Sequence, residues 1–186
     1  GQSYVLDRGN PEVLSIVRAS ANPTNASTVD FTVTFNKSVT GVGTGDFAMD
    51  TTGVTGASVS GVSGAGDTYT VTVNTGSGSG TVSIDLIDDD TIVDGMSTPL
   101  GGSGAGNGSF TAGQTYTVDK APPVVTNVTR ASSTPASASQ VEFIVEFSKS
   151  VTGVDTADFA VDASGVTGAS IAGVSGSGDT YTVTVN

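Results

Sequence analysis

The chain has 186 residues, no Cys, no His and no Trp, and it carries 6 Lys plus Arg against 18 Asp plus Glu, a formal net charge of -12. So few cations cannot line a phosphate backbone or an anionic bilayer, which argues against nucleic acid and membrane surfaces as partners. The lack of Cys removes disulfides, thiolate metal sites and a Cys nucleophile, and no apolar run approaches the roughly 20 residues a membrane-crossing helix needs.

What remains is rich in Gly, Thr, Ser and Val, a mixture that favours strands and turns over helices. Alternation with a period of two marks about seven strands, near 13–20, 29–36, 46–50, 57–62, 68–74, 80–87 and 114–119. Val29, Phe31, Val33 and Phe35 share one face, with Asp30, Thr32 and Thr34 on the other. Tyr69, Val71 and Val73 alternate with Thr70 and Thr72, and Val82, Ile84 and Leu86 with Ser83 and Asp85. Strands with one apolar and one polar face suit antiparallel sheets packed on one side. Gly- and Ser-rich connections separate them, as at Gly41–Gly45, Gly61–Gly66 and Thr75–Gly80. The stretch Gly101–Gly108 reads as a flexible loop, and no helix-length window has an apolar stripe of helical period.

The chain repeats itself. Val29-Asp-Phe-Thr-Val-Thr-Phe35 returns as Val141-Glu-Phe-Ile-Val-Glu-Phe147, Lys37-Ser-Val-Thr-Gly-Val42 as Lys149-Ser-Val-Thr-Gly-Val154, and Asp67–Asn74 returns unchanged as Asp179–Asn186. The offset is constant (141 − 29 = 112 and 179 − 67 = 112), and residues 12–74 and 124–186 are roughly two-thirds identical without a gap. Gly1-Gln-Ser-Tyr-Val-Leu-Asp7 matches Gly113-Gln-Thr-Tyr-Thr-Val-Asp119 at the same offset. The expected organisation is therefore the last strand and linker of a preceding repeat in 1–10, a complete repeat in 11–122, and the first part of another in 123–186. A period of this length exceeds that of solenoid repeats and suits an independent sandwich of about 100 residues. Asp119-Lys-Ala-Pro-Pro123 reads as a short linker stiffened by its two prolines.

Phe147-Ser-Lys-Ser-Val-Thr-Gly-Val, Gly165-Val-Thr-Gly-Ala-Ser, Ile84-Asp-Leu-Ile-Asp-Asp-Asp-Thr-Ile-Val-Asp94, Gly106-Asn-Gly-Ser-Phe-Thr and the Pro-Pro linker together resemble the bacterial Ig-like repeats of large secreted adhesins and cell-surface stalk proteins. The resemblance spans nearly the whole chain. It implies an all-β fold of tandem immunoglobulin-like antiparallel β-sandwich repeats, a secreted, cell-surface location, and a spacer or adhesive role often stiffened by calcium. The chain departs from the family at Asp94-Gly-Met-Ser-Thr-Pro-Leu100, where similar repeats carry Asp-Ala-Ala-Gly-Asn-Pro-Leu, which puts any ligating role of that Asn in doubt here.

The densest acidic cluster is Asp88-Asp89-Asp90, with Asp85 before it and Asp94 after it. Two readings fit: a Ca²⁺ site, in which the divalent ion relieves carboxylate repulsion, or a solvated acidic turn that keeps a sheet edge soluble. The spacing is not that of an EF-hand. Asp119, before the linker, fits either a cation site between repeats or ordinary Asp turn chemistry. Tyr4, Tyr69, Tyr116 and Tyr181 lie on alternating strands beside Val and read as core residues rather than as platforms for sugars. With neither His nor Cys and no distinctive carboxylate pair, the chain does not read as an enzyme.

Three functions compete. The first is an extracellular rod or surface fibre whose partners are neighbouring repeats or like chains. The second is a module that binds a glycan or host protein through its loops. The third is a filament subunit in which residues 1–7 add to an open sheet of another copy.

Overall fold

A computed structural model describes residues 8–134 and 136–186. Two compact units make up the chain, Gly1–Ala121 and Pro122–Asn186. The expected strand in 1–7 lies outside the described residues.

The first unit contains β1 (Val13–Arg18), β2 (Thr28–Thr40), β3 (Phe47–Thr52), β4 (Ser58–Asn74), β5 (Gly80–Leu86), β6 (Val93–Asp94) and β7 (Tyr116–Val118). One sheet has the order β1-β2-β4, with β6 also paired to β2, and the other has the order β3-β5-β7. Every one of these pairings is antiparallel. The runs expected at 57–62 and 68–74 join into one extended segment, β4, whose two arms lie side by side: Ser60 Oγ donates to the Thr72 carbonyl at 3.0 Å. Gly64 makes the reversal possible. Its φ is +122°, and a Cβ there would sit 2.6 Å from the Thr68 carbonyl oxygen.

The two sheets share one core, because each turns its alternate apolar positions inward. Phe31, Val33, Phe35, Val71 and Val73 of the first sheet meet Val82, Ile84, Leu86, Tyr116 and Val118 of the second, and all are buried. Phe31 and Tyr116 pack edge to face with ring centroids 4.9 Å apart. The Tyr116 hydroxyl also ties the sheets through the backbone, donating to the Asp30 carbonyl at 2.6 Å and accepting from the Ser20 N–H at 2.7 Å. Tyr116→Phe removes both bonds and strands the Ser20 N–H, while the Asp30 carbonyl keeps the Ala19 N–H. Chemical denaturation of the variant should therefore show a loss of about 1–3 kcal/mol.

The second unit is a single antiparallel sheet of order β8-β9-β10, formed by β8 (Val125–Arg130), β9 (Val141–Val151) and β10 (Ile171–Val185). Its register carries the sequence offset: Phe31 lies opposite Val71, and Phe143 opposite Val183. One segment differs. Phe47-Ala-Met-Asp-Thr-Thr52 forms β3, all of it paired with β5. The matching Phe159-Ala-Val-Asp-Ala-Ser164 is not a strand. Related residues take different conformations because a ladder needs a partner, and among the described residues only the first unit supplies one.

Candidate functional site

The acidic run leaves the end of β5 and returns through β6, which pairs Val93 and Asp94 with Thr40 and Val39. The Gly-rich stretch 101–108 closes over it, so two segments that read separately in the sequence form one structure. The stretch expected to be flexible is instead tied by its backbone to the carboxylates. Asp88, 3% exposed, accepts from the Asp90 N–H on Oδ1 and from the Gly108 N–H on Oδ2, both at 3.1 Å. Its own N–H donates to Ser109 Oγ at 3.1 Å, and its carbonyl accepts from the Gly106 N–H at 2.9 Å. Both carboxylate oxygens of Asp90 accept from the Gly104 N–H, at 3.2 and 3.0 Å. Asp89 accepts from the N–H and hydroxyl of Thr91.

Asp46 belongs to the same structure, although it stands far from the acidic run in the sequence. It is buried at the end of a 3-10 turn, Thr44–Asp46. One carboxylate oxygen accepts from the Gly43 N–H at 2.7 Å, and the other from the Thr91 hydroxyl at 3.0 Å. Gly41 lets β2 pass close by: its φ is +91°, and a Cβ would sit 2.3 Å from the Thr91 carbonyl oxygen.

The remaining candidates are dispersed. Asp94 is buried; its Oδ1 accepts from the Met96 and Thr98 N–H groups, both at 2.9 Å. Its Oδ2 has no hydrogen-bond partner and faces the Lys37 ammonium at 3.7 Å. Asp85 lies within β5, opposite Ala48. Asp119 sits by the other end of β5, where its Oδ1 accepts from the Ala121 N–H at 3.1 Å and from Ser79 Oγ at 3.5 Å. The length of β5 alone separates Asp119 from Asp88 by about 20 Å. Among the described residues, no three acidic side chains gather as a metal site requires. The set Asp85, Asp88, Asp89, Asp90, Asp94 and Asp119 therefore does not form one cage. Most of its oxygens are directed at backbone N–H groups, and the open oxygen of Asp94 already faces a cation.

These bonds shift the acidities. The Thr98 N–H, then the Met96 N–H and Lys37, hold the Asp94 carboxyl below its ordinary value of 3.8, against the opposing effect of burial. The Thr91 hydroxyl and N–H lower that of Asp89. Burial, helped by the charge of Asp50, raises that of Asp85. A depressed carboxyl contributes stability that is complete above the unfolded-state value and is lost as pH falls through the lower folded value. Asp85 has the opposite sign: its cost is absent below the unfolded value and complete above the raised one. The melting temperature should fall as pH drops from about 5 through the ordinary carboxyl range and below it. In Asp94→Asn the fall should be shallower, starting from a lower melting temperature at the upper end. An equally steep fall in the variant would remove Asp94 from this role.

The described tyrosines are not sugar platforms. Tyr69, Tyr116 and Tyr181 are all buried, and the Tyr69 and Tyr181 hydroxyls donate to the Val39 and Val151 carbonyls. Tyr4 lies outside the described residues. Compared with family models, with curated proteins and with solved structures, the chain finds no match.

Proposed function

We propose that the chain is built of immunoglobulin-like sandwich repeats that join end to end into an extracellular rod or surface fibre, with no catalytic step. Strand order supports the fold. With the two arms of β4 lettered separately, the first unit runs A, B, E, D in one sheet and C, F, G in the other, the arrangement of a constant-type immunoglobulin sandwich.

The observation that carries the rod is where the chain enters and leaves the first unit. Pro11 enters beside Gly101 and Asn36, since the Gly101 N–H donates to the Pro11 carbonyl and the Asn36 N–H to that of Glu12. Val118 leaves beside Thr24 and Gly80. The antiparallel registers put those two groups of residues at opposite ends of the sandwich. The exit is also held to the unit: the Lys120 N–H donates to Ser79 Oγ at 2.9 Å, and its ammonium to the Gly76 carbonyl at 2.6 Å. Repeats threaded in this way add length rather than bulk, and the two prolines that follow limit bending.

Small-angle scattering of concatenated copies of residues 11–122 tests the rod. Its maximum dimension should grow by about 40 Å per copy, the span of a 12- or 13-residue strand. Growth with the square root of copy number would indicate flexible tethers and overturn the proposal. Calcium stiffening remains a separable part of it. It requires the melting temperature to rise between EDTA and millimolar Ca²⁺, and that rise to vanish in an Asp88→Ala, Asp90→Ala double variant.

A further inference from the structure

Asn107-Gly108 is the one Asn-Gly pair in the sequence. In such a pair no β-carbon shields the glycine nitrogen from the asparagine carboxamide, which makes the pair chemically labile. The fold nevertheless needs both residues. A Cβ on Gly108 would sit 2.6 Å from Leu100 Cγ, and Leu100 is a fully buried core residue. The Asn107 carboxamide nitrogen donates to the Gly102 and Ser103 carbonyls, at 3.3 and 3.1 Å, and so closes the Gly-rich loop on itself. Asn107 is exposed to water. The Gly108 N–H, by contrast, is held by Oδ2 of the buried Asp88 at 3.1 Å.

We infer that Asn107 is a site of spontaneous deamidation and that Asp88 restrains it. In this reaction the Gly108 N–H gives its proton to water or hydroxide, the nitrogen attacks Asn107 Cγ, and the carboxamide C–N bond breaks to release ammonia. Water then opens the five-membered imide to aspartate, or to isoaspartate, in which the main chain runs through the side chain. Nothing is oxidised or reduced. Asp88 opposes the first step twice over. Its carboxylate is the hydrogen-bond partner of the proton that must leave, and its charge disfavours a second anion on the nitrogen beside it. The two bonds from the carboxamide hold the other reactant still. Conversion undoes the loop: a carboxylate at 107 has no proton to offer the Gly102 and Ser103 carbonyls, and isoaspartate lengthens the main chain just before Gly108, which is packed against Leu100. The inference depends neither on the rod nor on calcium.

The test follows deamidation of the full chain by mass spectrometry, in EDTA and at mildly alkaline pH, beside a synthetic peptide of residues 101–113. Asn107 should react at least ~10-fold more slowly in the chain than in the peptide, the effect of protection by a hydrogen bond to a charged group. Asp88→Ala should raise the rate in the chain at least ~5-fold. Asp90→Gly frees the Gly104 N–H and suits the positive φ at that position, and it should change the rate less than ~2-fold. The Leu86 N–H, bonded to the Phe110 carbonyl, should stay protected from exchange in Asp88→Ala, which separates release of Gly108 from unfolding. Four results would overturn the inference: a chain that reacts as fast as the peptide; an Asp88→Ala rate no higher than that of the unaltered chain; equal acceleration by Asp90→Gly, meaning that loosening of the whole loop is the cause; or loss of Leu86 protection in step with the faster reaction, meaning that unfolding sets the rate.

Discussion

Phe31→Ala is expected to destabilise the first unit by about 3–5 kcal/mol, while Phe143→Ala, the same change at the matching position, should cost the second unit less than half as much. Phe31 is fully buried, stacked on Tyr116 and enclosed by both sheets. Truncating it removes the transfer free energy of the ring and leaves a void that a packed core cannot collapse to fill. Phe143 has neighbours on its own sheet but is already partly in contact with water. Its truncation exposes little new surface and creates no enclosed cavity. Chemical denaturation followed by probes placed separately in each unit measures both costs. Equal losses would mean that Phe143 is as fully enclosed in solution as Phe31.

Asp88→Ala should cost the first unit about 2–4 kcal/mol already in EDTA, apart from any contribution of calcium. Asp88 holds three turns at once. Its carboxylate takes the N–H groups of Asp90 and Gly108, and its carbonyl takes that of Gly106. Alanine keeps the last of these and strands the other two donors in a site almost closed to water. Asp88→Asn retains one acceptor and should recover roughly half of the loss. A loss seen only with calcium present would instead make the metal, rather than the N–H groups, the partner of this carboxylate.

Much of the fold is legible in the sequence because a half-buried strand writes its environment into alternate residues. The inward rows Val29–Phe35, Tyr69–Val73 and Val82–Leu86 all face the core, and the expected boundaries agree closely with the strands observed. β6 is not legible, since two residues are too few to show a period and Asp94 disguises it as part of an acidic run. The contrast between Phe47–Thr52 and Phe159–Ser164 shows a second limit: these residues become a strand only where a neighbour offers its ladder. The candidate site shows a third. The sequence displays the carboxylates but hides what they bind, because their partners are the backbone N–H groups of Gly104 and Gly108, residues with no side chain to announce them. Asp46, which joins the site from a distant turn, is marked only as an Asp before a Phe.

β1 enters at one end and β7 leaves at the other, and the segment that follows β1 runs alongside β7 in the same direction, bridged in parallel at Thr24 and Val118. Bonds spread along that seam: the Gln114 N–H to the Ile16 carbonyl, the Thr24 N–H to the Thr117 carbonyl, the Asp119 N–H to the Thr24 carbonyl, and Arg18 to the Thr115 carbonyl. Tension applied through the two ends pulls these strands past each other lengthwise. The seam is then loaded in shear, with its hydrogen bonds sharing the force, rather than unzipped one bond at a time. A repeat of modest thermodynamic stability can thus resist stretching well, because forced rupture is governed by the unfolding barrier and not by the equilibrium.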